Sequence, residues 1–227
     1  MLRNFFAAPD FLRLLRFWES RRGGAALADW DGDVSAIPAE LLPNLIILDE
    51  LPDARYRYVG AACTRRFGGD TTGRKVAETL GPAYGGYIRS LIEDALLRRA
   101  PVFSASVLQI EPEVMLTGRL FAPFALRGSP EPRIVMSAHF FSEGRFRVKD
   151  VGAQGSVLET ERLLIAAVPE ICARLEEARR YHHLSRVTPD PALAREWDRI
   201  AVDLGAGALV ALPTYPRGDR RDWATQG

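Results

Sequence analysis

Gly68 and Gly73 stand five residues apart in GGDTTGRK (68–75), with Arg74 and Lys75 directly behind them. That spacing is half of a phosphate-cradling loop. The full pattern continues with a lysine that reaches the phosphates and a hydroxyl residue that ligates magnesium. Here an arginine and a lysine fill those two positions, so the magnesium ligand is missing. The preceding AACTRRF (61–67) also reads as a helix, whereas such a loop should leave a strand. Nucleotide hydrolysis is not expected.

The other chemically capable residues are sparse. His182 and His183 are adjacent, and neighbours on a helix point about 100° apart, so the pair cannot chelate one metal; as helix-terminal cations they need no further role. Cys63 has no histidine near it in sequence. With Cys172 as the only other cysteine, neither a disulfide framework nor a zinc site can be built, which fits a reducing, cytoplasmic setting. No serine lies in a G-x-S-x-G elbow. One atypical constellation remains for a small-molecule enzyme: Arg119, His139 and Asp70, with strand alternation placing Arg119 and His139 on one face. The leading expectation is a chain without enzymatic activity.

The elements that must position these residues follow from periodicity. Residues 10–22 set Phe11, Leu14, Leu15 and Trp18 on one helical stripe, with Asp10 as N-cap and Gly23–Gly24 as stop. NLIILDEL (44–51) and YRYVG (56–60), split by a Pro-Asp turn, read as a hairpin. AACTRRF is a short helix, and residues 84–99 form a longer one. Strands are expected at 101–111, 115–126 and 133–141. Alternation groups Leu116, Leu120, Ala122 and Phe124 with Ile134, Met136, Ala138 and Phe140. The opposite faces carry Thr117, Arg119 and Phe121, with Val135, Ser137, His139 and Phe141, and the N-terminal stripe is the natural cover for them. SVLE (156–159) matches a capping box and predicts a helix through Ala167. Further helices are expected from Pro169 and over 190–205, the latter capped by Asp190.

The result is an α+β fold: a five-stranded antiparallel sheet with helices on one face, a flanking N-terminal helix and a C-terminal helical extension. The expected segments are 1–24 (amphipathic helix), 25–142 (sheet domain), 143–210 (helical extension) and 211–227 (polar tail). Thirty basic residues against 29 acidic ones give no field that would attract nucleic acid or a membrane surface, and no apolar run approaches a membrane span.

Four stretches in order, FWESRRGG (17–24), IPAELLPNLIILDEL (37–51), YRYVGAACTRRFGGDTTGR (56–74) and LFAPFALRGSPEPRIVMSAHFF (120–141), resemble a family of short, stand-alone bacterial PAS-domain proteins over about residues 10–142. The resemblance implies a PAS fold, a small interior cavity and a role in sensing or protein interaction. Light-sensing members hold a cysteine within Asn-Cys-Arg, yet Cys63 is flanked by Ala62 and Thr64. Haem-binding members need a mid-domain helical histidine, and 61–100 contain none. Neither flavin nor haem is therefore expected. A pocket for a small apolar ligand would be lined by Tyr58, Phe67, Tyr87, Leu91, Leu120, Met136 and Phe140. The expected partner is another protein or a second copy of the chain, as a homodimer. A transcription-associated module using the C-terminal helices is the remaining alternative.

Overall fold

The computed structural model describes residues 8–51, 53–141, 148, 150–151, 155–165, 169–206 and 210–212. In chain order these form α1 (Pro9–Arg22), β1 (Ala28–Trp30), two short 3-10 turns (Val34–Ala36 and Ala39–Asn44), β2 (Leu45–Asp49) and β3 (Arg55–Val59). Then come α2 (Ala61–Phe67), α3 (Val76–Arg98), β4 (Val102–Ile110), β5 (Glu113–Leu126) and β6 (Arg133–Phe140). The last elements are β7 (Ser156–Leu164), α4 (Pro169–Val187), α5 (Pro191–Ala206) and β8 (Val210–Ala211).

The strands lie in the order β3-β2-β6-β5-β4-β7-β8, every neighbouring pair antiparallel. β1 adds a short parallel pairing to the end of β5, Ala28 beside Phe124, on the stretch that β4 leaves unpaired. The architecture is thus α+β around one open, essentially antiparallel sheet.

Both sheet faces are covered. On one, α2 and α3 bury Phe67, Leu80, Tyr84, Tyr87, Leu91 and Ile92 against Ile46, Phe121 and Met136. On the other, α1 lays Phe11, Leu14, Leu15 and Trp18 over Leu45, Phe103, Leu120, Phe124 and Val135, and Trp18 Nε1 donates to the Pro123 carbonyl at 2.6 Å. The N-terminal helix covers the expected face of β6, but β5 turns Leu120 and Phe124 toward it in place of the expected Thr117, Arg119 and Phe121. The N-cap of the helix, however, is Ala8, and Asp10 lies in the first turn, where its carboxylate accepts from Arg13 and Asn44, each at 3.0 Å.

Alternation along β5 and β6 holds, but the two strands pair their faces the other way round. In the observed register Phe121 opposes Met136 and Leu120 opposes Ser137. Opposed residues in an antiparallel pair share a face, so Leu120 goes with Val135 under α1, and Phe121 and Arg119 go with Met136 under α3. Alternation within one strand cannot reveal register; a slip of one residue exchanges the faces.

Residues 156–164 form β7 on the open edge of β4, not the helix that SVLE predicts. The pairing slips between Ala105 and Ser106, where Thr160 is the extra residue: Ala105 opposes Glu161 and Ser106 opposes Glu159. This bulge brings Glu159 and Arg162 to one face, although residues three apart in a regular strand point oppositely. An i, i+3 acid–base pair behind a Ser-x-x-Glu start looks helical in sequence for that reason.

The C-terminal helices start where Pro169 and Asp190 predict. Asp190 Oδ1 accepts from the Ala192 and Leu193 amides at 2.8 and 3.4 Å, and α4 and α5 pack together through stacked rings of Tyr181 and Trp197 5.3 Å apart. Of the expected polar tail, 213–227 lie outside the described residues. No helix among the described residues is long and apolar enough to cross a membrane.

Candidate functional site

GGDTTGRK is a turn that joins α2 to α3. Gly68 takes the left-handed conformation (φ 83°) as C-cap of α2, its amide bonding back to the carbonyls of Thr64 and Arg65, and the lack of a Cβ makes that conformation inexpensive. Asp70 Oδ1 accepts from the amide and hydroxyl of Thr72 at 2.9 and 2.7 Å; those bonds hold its carboxyl below the usual range. Gly73 donates to the Tyr56 carbonyl at 2.7 Å, and Tyr56 in turn donates to Arg74 at 3.0 Å, so the turn is stitched to β3. Gly60 has a different constraint: a Cβ there would lie 2.0 Å from the Leu42 carbonyl oxygen.

The proposed pocket residues divide between the two faces. Phe67, Met136 and Phe140 line a cavity under α3, together with Tyr56, Tyr84 and Arg119. Tyr87 and Leu91 belong to the same packed layer. Tyr58 and Leu120 fall on the α1 side, as the register requires. The cavity holds about 10 Å³, room for about one water.

What distinguishes this cavity is its cation. Arg119 is only 2% exposed. Its Nη1 donates to Ser106 Oγ at 2.9 Å and its Nη2 to the Tyr84 hydroxyl. The guanidinium carbon sits 5.3 Å from the Tyr84 ring centre and 5.7 Å from that of Tyr87, within cation–π range. Burial alone would disfavour the charge, but Tyr84, Tyr87 and the more distant Glu159 outweigh it and hold the group above its ordinary range. Burial pushes the Tyr84 hydroxyl up to about 12 against the pull of Arg119, so at neutral pH it is a neutral partner.

A chain of hydrogen bonds leads away from Arg119, and proton counting orients it. Thr117 donates to the Ser106 carbonyl at 3.2 Å, which leaves the Ser106 hydroxyl to donate to Thr117 Oγ1 at 3.0 Å. Ser104 spends its proton on Glu159, so the Tyr87 hydroxyl donates to Ser104 Oγ at 2.6 Å. Glu159 accepts from Arg162 at 3.0 and 3.1 Å, and Arg162 reaches Asp94 at 2.6 Å and Ser90 at 2.8 Å on α3. Two arginines face two carboxylates in this layer, so its formal charge is zero. Such a layer is costly if half-satisfied and rigid if complete.

Sequence reading weighed Arg119 for the wrong purpose and missed Tyr84, Ser104, Ser106, Glu159 and Arg162. The available signal was small hydroxyls at alternate positions of apolar strands, Ser104-x-Ser106 and Thr117-x-Arg119. The constellation of Arg119, His139 and Asp70 does not assemble. His139 opposes Gly118 and Arg119 opposes Ala138, which puts them on opposite faces, and Asp70 is exposed in the turn. His139 packs edge-on to Phe11 and near Phe141, and burial holds its imidazole below the ordinary value.

Cys63 is fully buried, and burial pushes its thiol up to about 12. A thiol-specific reagent at pH 8 is therefore expected to modify half-buried Cys172 first and Cys63 only in denaturant, since the thiolate is the reactive form. Mass mapping of the labelled peptides checks this; rapid labelling of Cys63 in the folded chain would contradict its burial. Among the described residues no group of three or more His, Cys, Asp and Glu side chains is placed to hold a metal. Comparison with protein-family models and with curated proteins finds no match.

Proposed function

We propose that this chain is a non-enzymatic PAS-type sensory or adaptor module that acts through protein–protein contacts, with a second copy of itself as the expected partner. Support for the fold assignment comes from the run β3-β2-β6-β5-β4. A strand pair, a helical insert against one face and a three-strand meander returning beside the first strand are what the resemblance would lead one to look for in a five-stranded arrangement. β7 and β8 extend that run beyond β4, β1 pairs with the end of β5, and α1 closes the other face.

The observation that carries the functional reading is the layer beneath the insert. Arg119 and its partners are buried and committed to one another, an arrangement that serves rigidity and register rather than turnover. A resident metabolite would need more room than the cavity beside Arg119 provides, so constitutive contacts are favoured over a ligand-gated core. A cytoplasmic location goes with this reading.

Native mass spectrometry of the purified chain, with light scattering, tests it. The expected species has twice the 25.2 kDa chain mass and carries no small-molecule adduct. A monomer with a stoichiometric bound metabolite would overturn the adaptor form of the proposal, and release of that metabolite by Arg119→Met would locate it in the core.

A further inference from the structure

A second concave region lies far from Arg119, between α1 and α4, and its charge is unbalanced. The two helices meet through Leu12 against the buried Leu175 and Ala178. Beyond that contact opens a groove of about 600 Å³, floored by Leu12 and Leu184 and edged by Arg179, Arg180, His183 and Arg186. That volume is in the range of small-ligand sites.

The charges can be counted. The lining carries three arginines and one carboxylate, Glu176, and Glu176 is engaged by Arg16 of α1. Arg13 of α1 is held by Asp10 at 3.0 Å. His182 approaches Asp198 of α5 at 3.6 Å. Among the described residues no carboxylate lies within ion-pair distance of Arg179, Arg180 or Arg186. Arg179 is half-buried, and its charge is disfavoured first by burial and then by Arg13 and Arg16 of α1, against a smaller opposing pull from Asp10. The helix dipole accounts for cations in the last turn only; Arg186 stands there, but Arg179 lies two turns earlier. Arg13 and Arg16 have their anions in Asp10 and Glu176, so the excess positive charge lies on Arg179, Arg180 and Arg186 of α4, which no carboxylate pairs among the described residues.

We propose that the α1–α4 groove binds a compact multivalent oxyanion, with Arg179 as its central ligand and Arg180 and Arg186 as flanking donors. Planar guanidinium groups fit phosphate and carboxylate oxygens bidentately, and Leu12 with Leu184 would take an apolar portion of the same molecule. The site is independent of the PAS reading and of the Arg119 cavity.

Calorimetric titration of the full chain at low ionic strength tests this, with inorganic pyrophosphate and citrate as separate probes. One-site binding is expected for at least one of them. Pyrophosphate alone would mark a phosphate-bearing ligand and citrate alone a polycarboxylate, while equal affinity would mark a site selective for charge only. Arg179→Gln should weaken binding by about tenfold or more, the loss of one charge-assisted contact, while Arg65→Gln on α2 leaves it unchanged. Because Arg179→Gln also relieves crowding, the free variant should melt no lower than the parent. If it does melt lower, the exposed Arg180→Gln decides, with an expected loss of several-fold. No heat from either probe, or unchanged affinity in both groove variants, overturns the proposal.

Discussion

Deleting residues 1–24 is expected to leave a chain with no cooperative unfolding transition, and Trp18→Ala alone to cost about 4 kcal/mol. α1 buries Phe11, Leu14, Leu15, Phe17 and Trp18. Each such side chain contributes about 2 kcal/mol on leaving water, so the five together match the whole stability of an ordinary domain, about 10 kcal/mol. Trp18 adds its bond to the Pro123 carbonyl, which the alanine variant leaves buried and unpaired. The deletion would uncover Leu45, Phe103, Leu120, Phe124 and Val135, a continuous apolar face prone to aggregation. Phe121 would stay covered, because it lies beneath α3. Urea denaturation followed by circular dichroism reads both effects. A truncated chain that unfolds cooperatively at the parent midpoint would show that α1 is an appendage.

Arg119→Met should destabilise the chain by about 3 kcal/mol, because it leaves the buried Tyr84 hydroxyl without its partner, takes away the donor to Ser106 Oγ and removes a buried cation that offsets the charge of Glu159. At the length of this chain that is a fall of about 10 °C in Tm. Glu159→Gln is expected to cost a similar amount, since Arg162 loses its bidentate carboxylate. The informative variant combines them. If the four charges form one balanced layer, the double substitution should cost at least about 1 kcal/mol less than the sum of the singles, as expected for coupled sites. Strict additivity would mean that Arg119 and Glu159 are separate features that share only a neighbourhood. Arg119→Lys should fall between parent and Met, as a point charge cannot reach Ser106 and Tyr84 from one planar fork.

The elements and their kinds were largely legible because their signals are local. The apolar stripe of α1, the pairing of β2 with β3, the alternation of β4 to β6 and the Asp190 cap all depend on residues within a turn or two of one another. The mismatch of Arg74 and Lys75 with a phosphate loop was likewise readable, since that chemistry depends on residue type and spacing. β1 was not legible: three residues in a Pro- and Asp-rich connector become a strand only because β5 extends past the end of β4.

Tertiary structure alone decided three things. Register set which residues share a face, sending Leu120 and Tyr58 under α1 and Arg119 under α3, because alternation has period two and carries no information about the neighbouring strand. The edge of β4 made 156–164 a strand, overriding a helical cap signal. The bulge at Thr160 then turned Glu159 and Arg162 inward together, completing a charge layer whose members are up to 78 residues apart, Tyr84 to Arg162. By itself the sequence determined what each segment can be; which charges meet was settled by long-range backbone pairing, the one interaction that local spacing does not encode.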